Sequence, residues 1–128
     1  MRLLLDTRLL LWTVSQSSRI SPLGRELIGD PANEPSFSTA SIWEVAIKWS
    51  QRCPDFDFEP SVLRRNLLDN GYEELAITGA HAVAVASLPA LHRDPFDRIL
   101  VAQSIVEGIT LLTSDPLVAQ YPAPVRKV

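Results

Sequence analysis

In the segment Arg2-Leu3-Leu4-Leu5-Asp6-Thr7, an uninterrupted apolar run ends abruptly at an acidic residue, and this pattern is the clearest indication of the fold. A second run of this kind, Ile109-Thr110-Leu111-Leu112-Thr113-Ser114, ends at Asp115. Apolar runs that do not alternate with polar residues are typical of parallel strands covered on both faces. We therefore predict an α/β fold in which helices cover both faces of a central, mostly parallel sheet.

Helix signals separate the strand candidates along the chain. Serine, threonine or aspartate begins several helix-like segments, and glycine follows two of them, as is usual at helix starts and ends. The predicted helices are 7–14, 22–29, 41–50, 60–70, 78–87 and 95–107, with Thr7 capping the first one. The predicted strands are 2–5, 36–38, 75–78 and 109–112, with at most a short edge strand within 122–128. Right-handed crossovers would bring the carboxyl ends of the strands to one edge, where ligands bind in such folds.

The size and composition of the chain exclude several classes of protein. With 128 residues, of which 46% are hydrophobic, the chain is expected to form one domain over residues 1–128. It has no apolar run long enough to span a membrane and no recognisable secretory signal, so we expect a cytoplasmic protein. The single cysteine, Cys53, excludes an intrachain disulfide and a cysteine-based zinc site.

The formal net charge of −3 argues, by itself, against a nucleic-acid partner. Two bound divalent cations would add four positive charges and change −3 to +1. Ten of the 12 basic residues are arginine, the side chain best suited to bidentate phosphate contacts. The charge therefore leaves a nucleic-acid substrate open.

Four acidic residues lie where strand-like and helix-like segments meet: Asp6, Glu44, Asp97 and Asp115. If the fold is as predicted, all four approach the same edge of the sheet. Mg²⁺ prefers oxygen ligands and is usually held by a few carboxylates together with water and substrate phosphates. We therefore predict a divalent-metal site at these acids, and Arg98 beside Asp97 is a candidate partner for a carboxylate or a phosphate.

Each acid also has a purely structural interpretation. Glu44 lies three residues after a serine, as in a capping box, and Asp94 precedes a proline, as a helix N-cap does. Asp97 would favour the dipole of the same helix, and Asp115 precedes a proline in a possible turn. Asp6 is harder to explain in this way, because a carboxylate at the end of a buried strand is unfavourable without a partner.

The histidines and tryptophans are assigned structural roles at this point. We expect His92 in a loop or in packing and His81 on a helix surface, because neither has a partner at metal-ligand spacing. Trp12, Trp43 and Trp49 can in principle stack on nucleobases, but all three lie in predicted helices. We expect them in the core or at an oligomer interface.

The motifs, taken together, resemble those of the PIN-domain toxins of the VapC type. The resemblance runs in order along the chain over Leu3–Thr7, Ser41–Lys48, His92–Gln103 and Leu111–Asp115. The combination of Asp-Pro-Phe-Asp-Arg with Trp-Glu-Val-Ala-Ile-Lys carries most of its specificity. The resemblance implies a PIN-like α/β/α sandwich and a Mg²⁺- or Mn²⁺-dependent endoribonuclease, the toxin of a type II toxin–antitoxin system. It also implies a homodimer and a complex with a small antitoxin of the VapB type.

The same resemblance implies a catalytic and metal-binding role for four residues. Asp6, Glu44 and Asp97 match the metal-binding acids of the family, and Asp115 matches a fourth, more variable acid. The implied reaction is hydrolysis of an RNA phosphodiester by metal-activated water, which leaves a 5′-phosphate and a 3′-hydroxyl. Arg8 is a departure, since close relatives often carry histidine at that position.

Three other interpretations compete with this one. A phosphotransferase of the haloacid-dehalogenase type needs an acid two residues after the first aspartate, where this chain has Arg8. A receiver domain needs a paired acid near the N-terminus and a late lysine at a strand end, and both are missing. A catalytically inactive PIN-like binding module remains as the alternative from a different functional class.

Overall fold

The computed structural model describes residues 1–128, with five strands and six α-helices. The strands are β1 (Arg2–Leu5), β2 (Glu34–Ser38), β3 (Glu73–Leu75), β4 (Thr110–Thr113) and β5 (Val125–Lys127). The helices are α1 (Thr7–Val14), α2 (Pro22–Gly29), α3 (Thr39–Ser50), α4 (Pro60–Asp69), α5 (Gly79–Ala84) and α6 (Pro95–Glu107). None of the helices combines the length and the apolar character that crossing a lipid bilayer requires.

The five strands form one sheet in the order β3-β2-β1-β4-β5. Every neighbouring pair is parallel, and Leu4 of β1 lies opposite Ser36 on one side and Leu111 on the other. The prediction of an α/β/α fold is thus confirmed, and the sheet is entirely rather than mostly parallel. The short C-terminal strand β5 lies at an edge, as expected.

Alternating side chains of β1 separate the core into two layers. Leu3 and Leu5 belong to a cluster with side chains of α1 and α4, whereas Leu4 belongs to a second cluster with side chains of α6. Successive side chains of a strand point to opposite faces of the sheet, so helices cover both faces. This burial on both faces explains why β1 and β4 have no polar alternation in the sequence.

The order of the strands in the sheet changes direction between β1 and β4. Strands β2 and β3 extend the sheet on one side of β1, and β4 and β5 extend it on the other. The backbone N–H of Asp6 donates to the carbonyl of Leu112 at 3.1 Å, so the ends of the two central strands are joined. In parallel α/β sheets, a crevice opens beyond the carboxyl ends at this point.

The best-predicted helix boundaries are those of α6. Asp94 is its N-cap and accepts from the N–H of Phe96, Pro95 occupies the first turn, and Gly108 ends the helix with φ +66°. Proline at a helix start and glycine with positive φ after its end are both favoured. The N-cap role of Asp94 expected from the sequence is therefore correct.

Three local predictions are wrong. Helix α3 begins earlier than predicted, with Ser38 as its N-cap, so Glu44 lies in its second turn and closes no capping box. Asp6, rather than Thr7, is the N-cap of α1. Its carboxylate accepts from the N–H of Leu9, three residues later, as an N-cap side chain does. Strand β3 covers residues 73–75 instead of 75–78, and a short loop connects it to Thr78, which is the N-cap of α5.

Candidate functional site

The four acids singled out in the sequence line one small pocket beyond the carboxyl ends of β1 and β4. The pocket has a volume of about 70 Å³, and none of its lining residues is hydrophobic. Its lining residues are Asp6, Thr7, Arg8, Glu44, Lys48, Asp94, Asp97, Ser114 and Asp115. The acids come from four separate segments of the chain, so only the tertiary fold brings them together.

Asp6 is held in a fixed orientation at the end of β1. Its Oδ1 accepts from the N–H of Leu9 at 2.9 Å, and its Oδ2 accepts from the hydroxyl of Thr113 at 2.6 Å. Burial raises the pKa of Asp6 to about 6, although these hydrogen bonds act in the opposite direction. The charge of Asp115 adds a smaller upward contribution to this pKa.

Asp97 lies in the first turn of α6 and is the acid most affected by the others. Its pKa is raised to about 7, mainly by burial and then by the charges of Asp94, Asp6 and Glu44 in that order. The hydrogen bond from His92 lowers it. Three carboxylates, two of them from other segments of the chain, thus act electrostatically on one side chain, which is the convergence that the sequence could only suggest.

Glu44 is buried on α3 and has one oxygen without a partner. Its Oε2 lies 2.5 Å from Nζ of Lys48, one helical turn later. Its Oε1 is buried and makes no hydrogen bond. Because buried polar atoms are nearly always paired, an unpaired carboxylate oxygen on a residue that lines the pocket fits the role of a cation ligand.

Asp115 combines the turn and site interpretations that the sequence left open. Its Oδ1 accepts from the N–H of Leu117 at 2.8 Å, and its own N–H donates to the hydroxyl of Thr113 at 3.0 Å. Its Oδ2 lies 3.5 Å from Nε2 of His92. One carboxylate oxygen therefore shapes the loop, while the other faces the acidic pocket.

His92 is a site residue that the sequence interpretation missed. Its Nε2 lies 2.9 Å from Oδ2 of Asp97. The side-chain donor atoms of His92, Asp94 and Asp97 lie within 4.8 Å of one another. Its position two residues before Asp94, in the same motif as Asp97, was the available signal, but no spacing rule for metal ligands detects it.

Arg98 does not pair with a carboxylate, contrary to one of the expectations from the sequence. Its guanidinium donates to the carbonyls of Pro89 at 2.9 Å and Val85 at 3.3 Å and to the hydroxyl of Tyr121 at 3.1 Å. Arg98 thus fastens the segment before α6 instead of neutralising the acids.

The donor set fits a hard divalent cation. It consists of carboxylate oxygens, one of which has no other partner, and two of the acids have pKa values raised by burial and by neighbouring carboxylates. Such a cluster is unfavourable when fully ionised unless a cation offsets its charge. Asp6, Glu44, Asp97 and Asp115 all line this pocket, and the donor atoms that lie within 4.8 Å of one another are those of His92, Asp94 and Asp97.

The three tryptophans do not share one environment. Trp43, next to Glu44, is 60% exposed, and its ring packs edge-on against Phe96 with 5.2 Å between centroids. Trp49 is 41% exposed, whereas Trp12 packs against the core. A core position for Trp43 and Trp49 is therefore excluded in the isolated chain.

Comparison with protein families gives one match that spans most of the chain. The model of the PIN domain matches residues 3–123. Among curated protein sequences, none matches the chain significantly.

Several solved structures have the same fold. VapBC2 from Rickettsia felis, bound to a promoter DNA fragment, is 15% identical with a TM-score of 0.73, and the match covers 99% of this chain and 98% of that one. A toxin–antitoxin complex from Klebsiella pneumoniae is 18% identical with a TM-score of 0.65, covering 96% and 94% of the two chains. VapBC-5 from Mycobacterium tuberculosis is 18% identical with a TM-score of 0.65, covering 99% and 97%.

Proposed function

Because the chain belongs to the PIN domain family, we propose that it is a metal-dependent endoribonuclease, the toxin of a type II toxin–antitoxin system. One observation carries this proposal: Asp6, Glu44, Asp97 and Asp115 line one wholly polar pocket at the reversal point between β1 and β4. We further propose that residues 1–128 act as a single domain in the cytoplasm, where cellular RNA is accessible.

Mg²⁺ or Mn²⁺ is the cofactor that we propose for the four acids. When bound, the cation supplies Lewis acidity, which makes water available as a nucleophile near neutral pH and offsets negative charge on the phosphoryl group. The all-carboxylate donor set supports a hard cation, and the unpartnered Oε1 of Glu44 supports direct ligation.

The chain's own residues keep the acids oriented in the absence of substrate. Thr113 donates to Asp6 and accepts from the backbone of Asp115, so one hydroxyl links the acids that follow β1 and β4. Asp97 is held by His92, and Glu44 by its position in the second turn of α3. Ligands fixed in this way lose little conformational entropy when a cation binds.

Two basic residues at the pocket support a phosphate substrate. Arg8 and Lys48 line the same pocket as the acids, and Nζ of Lys48 also lies 4.5 Å from the centre of the Phe56 ring. We propose that they contact the RNA backbone on either side of the cleaved bond. In that role, Lys48 exchanges its ion pair with Glu44 for one with a phosphate oxygen, and the Glu44 carboxylate then binds the cation.

The hydrolytic mechanism that we propose leaves a 5′-phosphate and a 3′-hydroxyl. The alternative ribonuclease chemistry uses the 2′-hydroxyl as nucleophile and needs a pair of acid–base groups, commonly histidines. Of the two histidines, His81 is fully buried instead of lying on a helix surface as expected, and its Nε2 lies 3.2 Å from Oε1 of Glu107, away from the pocket. Only His92 is near the acids, so a histidine pair is not available.

A small antitoxin of the VapB type is the protein partner that we propose. The support is the fold shared with the VapBC complexes from R. felis and M. tuberculosis and with the K. pneumoniae toxin–antitoxin complex. The match covers nearly the whole length of each of these chains, so the likeness concerns the entire toxin-like domain.

A homodimer is the oligomeric state that we propose, as the sequence resemblance implies. One surface supports it: Trp43, Ile77, Val85, Phe96 and Ile99 line an open apolar hollow of about 480 Å³ beside the acidic pocket. Trp43 and Ile77 are exposed and the other three are half-buried, and aromatic and aliphatic side chains grouped in this way are typical of the centre of a protein interface. We call these five residues the Trp43 surface.

Cleavage of a pool of structured and single-stranded RNAs by the purified protein, free of antitoxin, tests the proposal. We expect cutting with Mg²⁺ or Mn²⁺, none with EDTA, and 5′-phosphates at the new ends. The Asp97→Asn variant should lose at least about 100-fold in rate, because losing even a residue that only orients a metal ligand costs about 10-fold to 100-fold. Asp69→Asn, an exposed aspartate on α4, is the matched control and should cleave like the wild type.

A folded wild-type protein that binds its antitoxin but cleaves no RNA in the presence of either metal would contradict the nuclease proposal. That result would favour the inactive binding module. Equal cleavage by Asp97→Asn and Asp69→Asn would instead overturn the assignment of the acids.

A further inference from the structure

The tautomer of His92 is fixed by its own backbone. The N–H of Arg93 donates to Nδ1 of His92 at 3.1 Å, so Nδ1 acts as an acceptor and carries no proton. A neutral imidazole has one donor and one acceptor nitrogen, and the proton must therefore be on Nε2. Nε2 is the atom 2.9 Å from Oδ2 of Asp97.

We propose that His92 is a positioning residue that holds the Asp97 carboxylate in the orientation needed for cation binding. This inference rests on the proposed function, because it concerns the same acidic pocket. Nε2–H donates to Oδ2 of Asp97 and also faces Oδ2 of Asp115 at 3.5 Å. One N–H therefore lies between two acids from different segments and leaves Oδ1 of Asp97 free for the cation.

The same geometry argues against His92 as a metal ligand, although its donor atom lies near those of Asp94 and Asp97. A ligating nitrogen needs a free lone pair, whereas Nε2 bears the proton and Nδ1 already accepts a hydrogen bond. Carboxylates that bind metals are commonly oriented by hydrogen bonds of this kind from neighbouring side chains.

His92 is itself held in place by two residues from other parts of the chain. Its backbone N–H donates to the hydroxyl of Tyr121 at 3.0 Å. Arg98 donates to that hydroxyl and to the carbonyl of Pro89, so the segment before α6 is fastened at several points. Arg98 directly follows Asp97. The acid that His92 contacts and the arginine that helps to hold His92 in place therefore lie in the same turn of α6.

Nitrogen-15 NMR of the imidazole rings in the metal-free protein tests the tautomer directly. We expect the His92 signals of a ring protonated at Nε2. A ring protonated only at Nδ1 would overturn the proposal. This measurement involves neither RNA nor metal, so its result is independent of whether the proposed nuclease activity is correct.

Mn²⁺ titration of three proteins tests the positioning role. His92→Met removes the N–H donor. His92→Gln introduces a side chain as long as that of methionine, but one that retains an N–H donor. We expect Mn²⁺ to bind about 10-fold to 100-fold more weakly to the methionine variant, with most of the loss recovered in the glutamine variant. Circular dichroism and thermal unfolding should show both variants folded, and if His92→Met does not fold, Tyr121→Phe provides a milder test with a smaller loss in the same direction.

Pulsed electron paramagnetic resonance of bound Mn²⁺ separates positioning from ligation. We expect no coupling to a histidine nitrogen, and a clear coupling that disappears in His92→Gln would show that His92 is a ligand and overturn the proposal. Wild-type affinity in His92→Met would overturn it as well. Failure of the wild-type protein to bind Mn²⁺ would overturn both this inference and the proposed metal-dependent function, whereas tight binding without RNA cleavage would contradict the proposed function alone.

Discussion

The hydroxyl of Thr113, at the end of β4, donates a 2.6 Å hydrogen bond to Oδ2 of Asp6, which follows β1. The same hydroxyl oxygen accepts from the backbone N–H of Asp115 at 3.0 Å. Thr113 is fully buried, so no water replaces either contact. One side chain thus couples the two central strands to two of the acids of the pocket.

Replacing Thr113 by valine should weaken cation binding without unfolding the protein. Valine keeps the shape of threonine but leaves Oδ2 of Asp6 without its donor. We expect the affinity for Mn²⁺, measured by calorimetry, to fall about 10-fold to 100-fold. Thr110→Val, at the opposite end of the same strand, is the control and should bind as the wild type does. Equal affinities of the two variants would show that the Thr113 hydroxyl has no part in the site.

The metal-free protein should become less stable as the pH rises from 5 to 8. The pKa of Asp97, about 7, and that of Asp6, about 6, lie above their ordinary value in the folded state, so folding favours the protonated carboxyls. This stabilisation is complete below the ordinary value of 3.8 and is lost as the pH rises through 6 to 7. Thermal unfolding in EDTA measures it.

The Asp97→Asn variant checks the origin of that pH dependence. It removes one of the like charges, so in EDTA at pH 8 we expect it to unfold several degrees above the wild type, given that 1 kcal/mol corresponds to roughly 4 °C in a domain of this size. Mg²⁺ or Mn²⁺ should raise the unfolding temperature of the wild type but hardly that of the variant. An unchanged pH profile in Asp97→Asn would contradict the electrostatic explanation.

Replacing Lys48 by methionine should affect metal binding and RNA cleavage in opposite directions. The ammonium group of Lys48 competes with a cation for Oε2 of Glu44, so its loss should strengthen Mn²⁺ binding by a factor of about 3 to 10, the equivalent of on the order of 1 kcal/mol for one partly exposed ion pair. Cleavage should weaken, with a higher KM, because a phosphate contact is lost. Lys127→Met on β5 is the control, and a lowered metal affinity in Lys48→Met would refute the competition.

A charge within the Trp43 surface should dissociate the proposed dimer. Trp43→Glu places a carboxylate where an apolar ring is expected to be buried, so the mass measured by light scattering after size exclusion should fall to that of a monomer. Val62→Glu changes a residue that is 65% exposed on α4, outside this surface, and should leave the mass unchanged. A monomeric wild type, or a Trp43→Glu protein that stays dimeric, would exclude this surface as the dimer contact.

The elements that the sequence predicted well are those specified by local chemistry. The short apolar run of Leu3, Leu4 and Leu5, ended by an acid, is typical of a strand buried on both faces, and Asp94 followed by Pro95 is a favoured helix start. The motif resemblance added the family, and the match to the PIN domain over residues 3–123 confirms it. The cap of α3 was misplaced because Ser38 and Ser41 are both good N-caps, and local sequence does not discriminate between them.

The fold class, the family and the acids to consider could thus be predicted from the order of residues along the chain. That His92 contacts Asp97, that Arg98 binds the carbonyl of Pro89 and that Trp43 is exposed could be seen only in the folded molecule. Secondary structure follows from preferences of neighbouring residues, which can be read along the chain. Contacts between side chains depend on how separate elements pack, and a hydrogen bond such as that from Thr113 to Asp6 joins residues 107 positions apart.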